Sequence, residues 1–256
     1  MKSVIYNFWG KFSRIGDAVF FLKDILKVIL TGKVRWNEVM TQMYEQGVQS
    51  VAIVILTSLA SGAVLALQGF VTLEHFGAKE FIPRLVALSL VKELSPVFTA
   101  LIFSGKAGAG ITAELGTMNT HEQIQATRAM GVDPMAFLVV PRFLACLLVL
   151  PVLIVISEIV GIAGGYLICI TQANLPGTFY WHECINAIDY VAFFSSLIKA
   201  FFFAVIIAWI CAFKGFYTVG GALGVGRFTT QAVAYSYIAV ILSDTVLTKI
   251  LLTIWG

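Results

Sequence analysis

The chain has 256 residues, of which 59% are hydrophobic and only 12% charged, with a net charge of +3. Soluble domains carry about 45–50% apolar and about 25% charged residues, so a water-soluble globular fold is excluded, and so small a charge gives no reason to expect nucleic acid. The apolar residues form continuous runs of membrane-crossing length rather than period-two alternation, which excludes a transmembrane barrel and leaves an all-α polytopic membrane protein.

Residues 1–30 place Ile5, Phe8, Trp9, Phe12, Ile15 and Val19 at three- and four-residue spacing, with Lys11, Arg14 and Asp17 opposite them. That pattern predicts an amphipathic helix lying in the headgroup plane. A helix packed on a cytosolic partner is the alternative. After Phe20 the stripe drifts, with Lys23 and Lys27 near its apolar edge. These charges, with Asp24, interrupt the apolar core that a cleavable signal peptide needs. TGKVRWNE (31–38) reads as a polar connection, so residues 1–47 form an N-terminal unit ahead of a five-span domain over 48–256.

The first span is expected over about 48–76. Its middle, SLASGAVLALQG, is rich in the small residues that let helices approach closely in lipid. Ser61, Leu65, Gln68, Thr72 and Phe76 share one face by helical spacing and read equally as a cavity lining or a helix–helix seam. The second span, about 85–105, contains Lys92, Glu93 and Pro96. Lys92 and Glu93 lie about 100° apart on a helix and therefore seek different partners, while Pro96 removes a backbone donor.

Residues 106–134 form a polar run between two apolar stretches and are expected in water. Within them, Ala113–Leu115 and Glu122–Met130 are good helix material, and GTMNT between them reads as a break. Thr120 is the expected cap of the second piece, with Gln123 three residues on as in a capping box. Val132-Asp133-Pro134 ends it, because the residue before proline avoids the α region. The third span, about 143–170, carries Pro151, Glu158 and a GxxxG pair, Gly161 and Gly165. The loop 171–191 is aromatic and acidic, and Tyr180, Trp181 and Tyr190 suit an interface belt. The fourth span, about 192–213, holds Lys199; a glycine-rich connector follows over 214–230. The fifth, about 232–254, holds Asp244 and Lys249.

Placing the N-terminus, 106–142 and 214–228 on one side collects twelve of the seventeen basic residues: seven from Lys2 to Arg35, then Lys106, Arg128, Arg142, Lys214 and Arg227. The opposite loops hold only Lys79 and Arg84. The positive-inside rule then sets the N-terminus in the cytoplasm, and five spans carry the C-terminus out.

No GxxxxGK[ST] phosphate loop, GxSxG or HExxH occurs, and His75, His121 and His182 are scattered, so neither ATP hydrolysis nor a metal site is expected in this chain. Cys146, Cys169, Cys184 and Cys211 stand singly, without a CxxC pair, and read as small hydrophobes. Glu158 is the best lone candidate for acid–base work in the membrane, against a plainer reading as a buried, partnered carboxylate.

The stretch KELSPVFTALIFSGKAGAGITAELGTMNTHEQIQATRAMGVDPMAFLVVPR resembles the core of the MlaE-type permeases, the membrane subunits of Mce/Mla ABC transporters for lipids. The likeness extends through LALQG (65–69), the GGYL of the third span, LIKA (197–200) and GRFTTQAV (226–233). It implies a homodimer in a bacterial inner membrane, each copy with a leading interfacial helix, five spans and a cytoplasmic coupling helix. It further implies a pair of separate ATPase subunits that bind ATP and magnesium, an outer partner built of MCE domains, and a phospholipid held in an outward-open cavity at the dimer interface. Carried onto this chain, the ATPase-docking surface falls on Glu114, Met118, Glu122, Gln123, Arg128 and Met130. The cavity falls on Leu65, Gln68, Thr72, Leu73, Phe76, Glu93 and Leu94. Lys92, Glu158, Lys199 and Asp244 are membrane charges, of which Lys199 and Asp244 brace the helices or tune the headgroup environment. Lys92 and Lys106 stand where arginine is common in the family, Ser95 where glycine is, His121 where threonine is, and Glu158 is unusual. Two rival functions are an intramembrane enzyme using Glu93, Glu158 or Asp244, and a gradient-driven carrier, for which inverted repeats would be expected.

Overall fold

The computed structural model describes residues 2–32 and 34–255, with side-chain surroundings from residue 16 onward. The described residues are helical throughout, without a strand. In chain order they form α1 (Lys2–Leu30), α2 (Trp36–Glu74) and α3 (Lys79–Thr120), and α4 (Gln123–Ala129). Then come α5 (Met135–Thr171), α6 (Gly177–Ala187), α7 (Tyr190–Phe216) and α8 (Gly221–Trp255). Helices α2, α3, α5, α7 and α8 are long and apolar enough to cross a membrane.

The order of spans is the expected one, but every span is longer than its hydropathy. The largest extension is α3, which runs through the polar stretch to Thr120 rather than ending near 105. Small residues make this possible. Gly108 lies against Cys211, and a Cβ on Gly215 would fall 2.8 Å from the Leu115 Cβ. The Thr112 hydroxyl donates to the Cys211 carbonyl at 3.0 Å, and the Asn119 amide to the Thr218 carbonyl at 2.8 Å. Residues 106–120 thus continue the helix of a span, with one face packed on α7 and the other half-buried or exposed, and are not a free polar loop. GTMNT does not break the helix: the Thr120 hydroxyl turns back to the Gly116 and Thr117 carbonyls instead of capping α4. The position before α4 belongs to Glu122, in the left-handed region at φ 58°.

α4 also ends earlier than expected. Gly131 at φ +78° sends its N–H to the Arg128 carbonyl, and Val132 sends its own to Thr127. This is the Schellman pairing that glycine at C′ permits. Asp133 then starts α5 rather than only ending α4, its carboxylate accepting the Met135 N–H at 3.0 Å. Similarly, α2 begins at Trp36, so the polar connection shrinks to 31–35, and α8 begins at Gly221 within the glycine-rich connector.

Four wide turns with π-type spacing interrupt the spans, at Tyr44–Val48, Leu90–Leu94, Ser104–Gly108 and Met135–Val139. α5 is the centre of the bundle, with 56% of its most apolar window buried against protein; α8 is the periphery, with 11%. The tightest seam is α2 on α5. A Cβ on Gly62 would lie 1.8 Å from the Gly161 carbonyl oxygen, and one on Gly164 would lie 2.2 Å from that of Leu59. The expected glycine pair therefore marks a true crossing, with Gly62 as the partner and Gly164 as a third member. A Cβ on Gly165 would meet Tyr180 and Val86 first, with the Gly62 carbonyl oxygen at 3.5 Å.

α1 clasps the end of α7. Phe21, Ile25 and Val28, spaced four and three apart, are buried, with Phe21 edge-on to Phe213 at 5.6 Å. The Trp209 indole donates to the Ala18 carbonyl at 2.8 Å. Val19, Phe20, Leu26 and Leu30 remain exposed. The stripe from Ile5 to Ile15, with Lys11 and Arg14, lies outside the described side chains.

Candidate functional site

Three features could carry function: a charge cluster between α3, α7 and α8, a cleft between α2 and α3, and the short helix α4. The cluster is built on a missing hydrogen bond. In an α-helix the carbonyl of Lys92 would receive the N–H of residue 96, but Pro96 has none. The wide turn before it sends the Ser95 N–H to Leu90, which leaves the Lys92 carbonyl without that neighbour too. A buried carbonyl must find a donor, and Lys199 supplies it: its Nζ lies 2.9 Å from the Lys92 oxygen. The same ammonium lies 2.6 Å from Glu93 Oε2 and 2.9 Å from Asp244 Oδ1. Lys199 is 1% exposed, so an ammonium with three protons faces three oxygens and little else.

The sequence offers Glu93 or Lys92 as partners for Lys199 and Asp244; the fold pairs Lys199 with Glu93 directly and brings in Asp244 through the same ammonium. It also adds Thr248, whose hydroxyl reaches Glu93 at 3.2 Å. Thr248 was not foreseen, although it stands one helical turn beyond Asp244 on the same face. Lys92 contributes its backbone while its side chain points outward. Glu158 is not part of this group. It is 4% exposed and accepts a hydrogen bond from the Ser196 hydroxyl.

The cleft has a volume of about 190 Å³ and is lined by Thr57, Ser58 and Ser61 of α2, by Leu90, Leu94 and Phe98 among others of α3, and by Ser157 of α5. Of the residues expected to line a cavity, it gathers only Ser61 and Leu94. Leu65 and Leu73 pack against a second core cluster around Val86 and Tyr180. Gln68 and Thr72 lie exposed on α2, Phe76 lies in the turn after it at 79% exposure, and Glu93 is drawn into the Lys199 group. The seam of α2 is a different row, Ser58, Gly62, Ala66 and Gly69.

α4 buries one residue, Ile124, in the main core. Glu122, Gln123, Arg128 and Met130 are exposed around it. Two other expected docking residues are engaged within the chain. Met118 packs on the core, and Glu114 receives the Nε and Nη2 of buried Arg142 at 3.2 and 3.0 Å. Arg142 had been noted only for its charge; its role is to tie α3 to α5.

At the other end of the bundle, Tyr180 is not an interface residue. It is fully buried, donates to the Ile162 carbonyl at 2.9 Å, and lies edge-on to Tyr166 at 5.6 Å. Burial pushes its hydroxyl above the usual tyrosine range and the nearby Cys184 thiol up to about 11. Trp181 and Tyr190 are exposed, as a belt requires. Among the described residues no three His, Cys, Asp or Glu side chains are grouped to hold a metal ion.

The comparisons agree with this layout. A family model described as Permease MlaE matches residues 39–250. The chain is similar to a probable ABC transporter permease protein of Rickettsia typhi, 38% identical over 242 residues covering 94% of this chain and 93% of that one. It is likewise similar to the intermembrane phospholipid transport system permease protein MlaE of Haemophilus influenzae, 38% identical over 241 residues, 94% and 92% of the two chains. A probable ABC transporter permease protein of Synechocystis sp. is 36% identical over 233 residues, 91% and 89%. Since the match runs through all five spans and the relatives have the same extent, this multi-pass membrane protein belongs to the MlaE permease family.

Proposed function

We propose that the chain is the permease subunit of an ATP-driven phospholipid transporter, acting as a homodimer between a pair of cytoplasmic ATPase subunits and a periplasmic MCE-domain protein. The observation that carries this reading is α4, a stop-capped helix of seven residues held by one buried side chain and offering Glu122, Gln123, Arg128 and Met130 to the solvent. ATP and magnesium belong to the ATPase partner. In this chain, α4 is joined to α3 and α5 by links too short to absorb a push. The Arg142–Glu114 pair and the Asn119 and Thr112 hydrogen bonds make the ends of α3, α5 and α7 move together. The same helices carry the Lys199 cluster at membrane depth, so a displacement at α4 reaches the walls of the cleft.

The open face of α2 supports the dimer. Gln68 and Thr72 are costly against hydrocarbon and call for protein or water beside them. A second copy there would enclose an apolar space between Leu65, Leu73, Phe76 and Leu94. A phospholipid would move only if the two states of that space bind it differently. The N-terminus and α4 lie on the cytoplasmic side in this reading, and the C-terminus in the periplasm. The test is ATP turnover and lipid transfer by the reconstituted complex carrying Glu122→Lys or Arg128→Glu. Both variants are expected to fold and to lose ATPase binding or coupled turnover by tenfold or more. Normal assembly and turnover in both would remove α4 from the coupling role.

A further inference from the structure

Three carboxylates sit at membrane depth, on three different helices. Glu93 and Asp244 share Lys199. Glu158, on α5, has no cation: among the described residues no lysine, arginine or histidine nitrogen comes within ion-pair distance of it. Its one hydrogen-bond partner among the described residues is the Ser196 hydroxyl of α7. Of the charged or titratable groups on the helices around α5, several have partners of their own. Glu114 of α3 holds Arg142 at the cytoplasmic end, and Tyr180 and Cys184 of α6 bond to carbonyls at the far end. Glu93 of α3 binds Lys199 of α7, which also bonds the Lys92 carbonyl and is ion-paired with Asp244, and the Lys92 side chain is exposed. α2 faces this level with Ser58, bonded at 2.8 Å to Ser157.

A negative charge in such a place is far costlier than a neutral acid that keeps its hydrogen bond. We propose that Glu158 is a proton-binding site, occupied at neutral pH, whose neutral form seals α5 against α7. Its release would send the proton to water, which can reach the neighbourhood through the cleft that Ser157 helps to line with Thr57, Ser58, Ser61 and Ser95. The carboxylate left behind would need a second donor. The nearest cation along α7 is Lys199, one helical turn from Ser196, so deprotonation competes with Glu93 and Asp244 for it and loosens the cluster. The inference concerns this chain alone and does not depend on the transport reading.

The experiment is infrared spectroscopy of the purified full-length protein in nanodiscs, as a difference between wild type and Glu158→Gln. Glutamine keeps the shape and the acceptor for Ser196. The wild type is expected to show the carbonyl stretch of a protonated carboxyl group at neutral pH, lost in the variant and lost from the wild type at alkaline pH. If the variant does not fold, isotope-labelled glutamate in the wild type identifies the same band by its shift. In parallel, the thermal midpoint of the wild type should fall more steeply than that of Glu158→Gln as pH rises from the ordinary carboxylate range through neutrality, because the folded wild type holds a proton that the unfolded chain gives up. No protonated-carboxyl band at neutral pH overturns the proposal, and so do parallel pH profiles for the two proteins.

Discussion

Buried Lys199 donates hydrogen bonds to the Lys92 carbonyl and to Glu93 and is ion-paired with Asp244 at 2.9 Å, so one ammonium serves three oxygens. Removing one partner of a buried ion pair costs about 3–5 kcal/mol, because it strands the other charge. Lys199→Met strands two carboxylates and a carbonyl, so it is expected to lower stability the most. Asp244→Asn should cost less and Glu93→Gln least, since the side chain of Asp244 is 18% exposed and that of Glu93 is 42% exposed to solvent screening. Thermal unfolding of the three variants in detergent ranks them; an equal loss in all three would show that the cluster does not share one ammonium. Hydropathy and charge placed each of these residues inside a span, but not beside one another. The link depends on a carbonyl that a proline leaves bare, and such a bond is invisible to any reading of side-chain pattern.

Between helices, small residues decide the packing. Gly62→Ala drives a methyl group into the Gly161 backbone, and overpacking of this kind costs about 1–3 kcal/mol. Gly110→Ala is the control, since nothing lies within 4 Å of its added Cβ and alanine gains about 1 kcal/mol of helix propensity. The first is expected to lower the thermal midpoint and the second to raise it slightly; the reverse order would refute close contact between α2 and α5. This is also where the sequence was most and least legible. Runs of apolar residues gave the five spans in order, and the Gly161 region was readable as a crossing. The stretch from Lys106 to Thr120 misled for the same physical reason: glycine, threonine and asparagine look like loop on a hydropathy scale, yet here they are small or self-satisfying residues of a helix, with Gly108, Thr112 and Gly116 buried against its neighbours. Thr120 looked like a cap, but its hydroxyl has carbonyls closer at hand in its own helix.

At the scale of the whole chain, the two ends of the bundle are unlike. One presents α4; the other is closed by α6, packed through Tyr180, Cys184 and Ala187. All four native cysteines are buried, and the Cys184 thiol is pushed up to about 11, so they should be silent to maleimides at neutral pH. Single cysteines then report sidedness. Asn186→Cys is expected to react with an impermeant maleimide once the outer membrane is opened. Gln125→Cys should react only after the inner membrane is permeabilised. The opposite result would invert the proposed topology.

Each wide turn in α3, one on either side of Pro96, stores a residue more than regular winding requires. Taken up into ordinary coil, a surplus residue adds about 1.5 Å of length and swings everything beyond it by about 100°. A rod with two such links can hand on a push at one end as a shift and a twist of the part beyond. It can advance one half while the other keeps its grip, in the manner of a ratchet fed one tooth at a time.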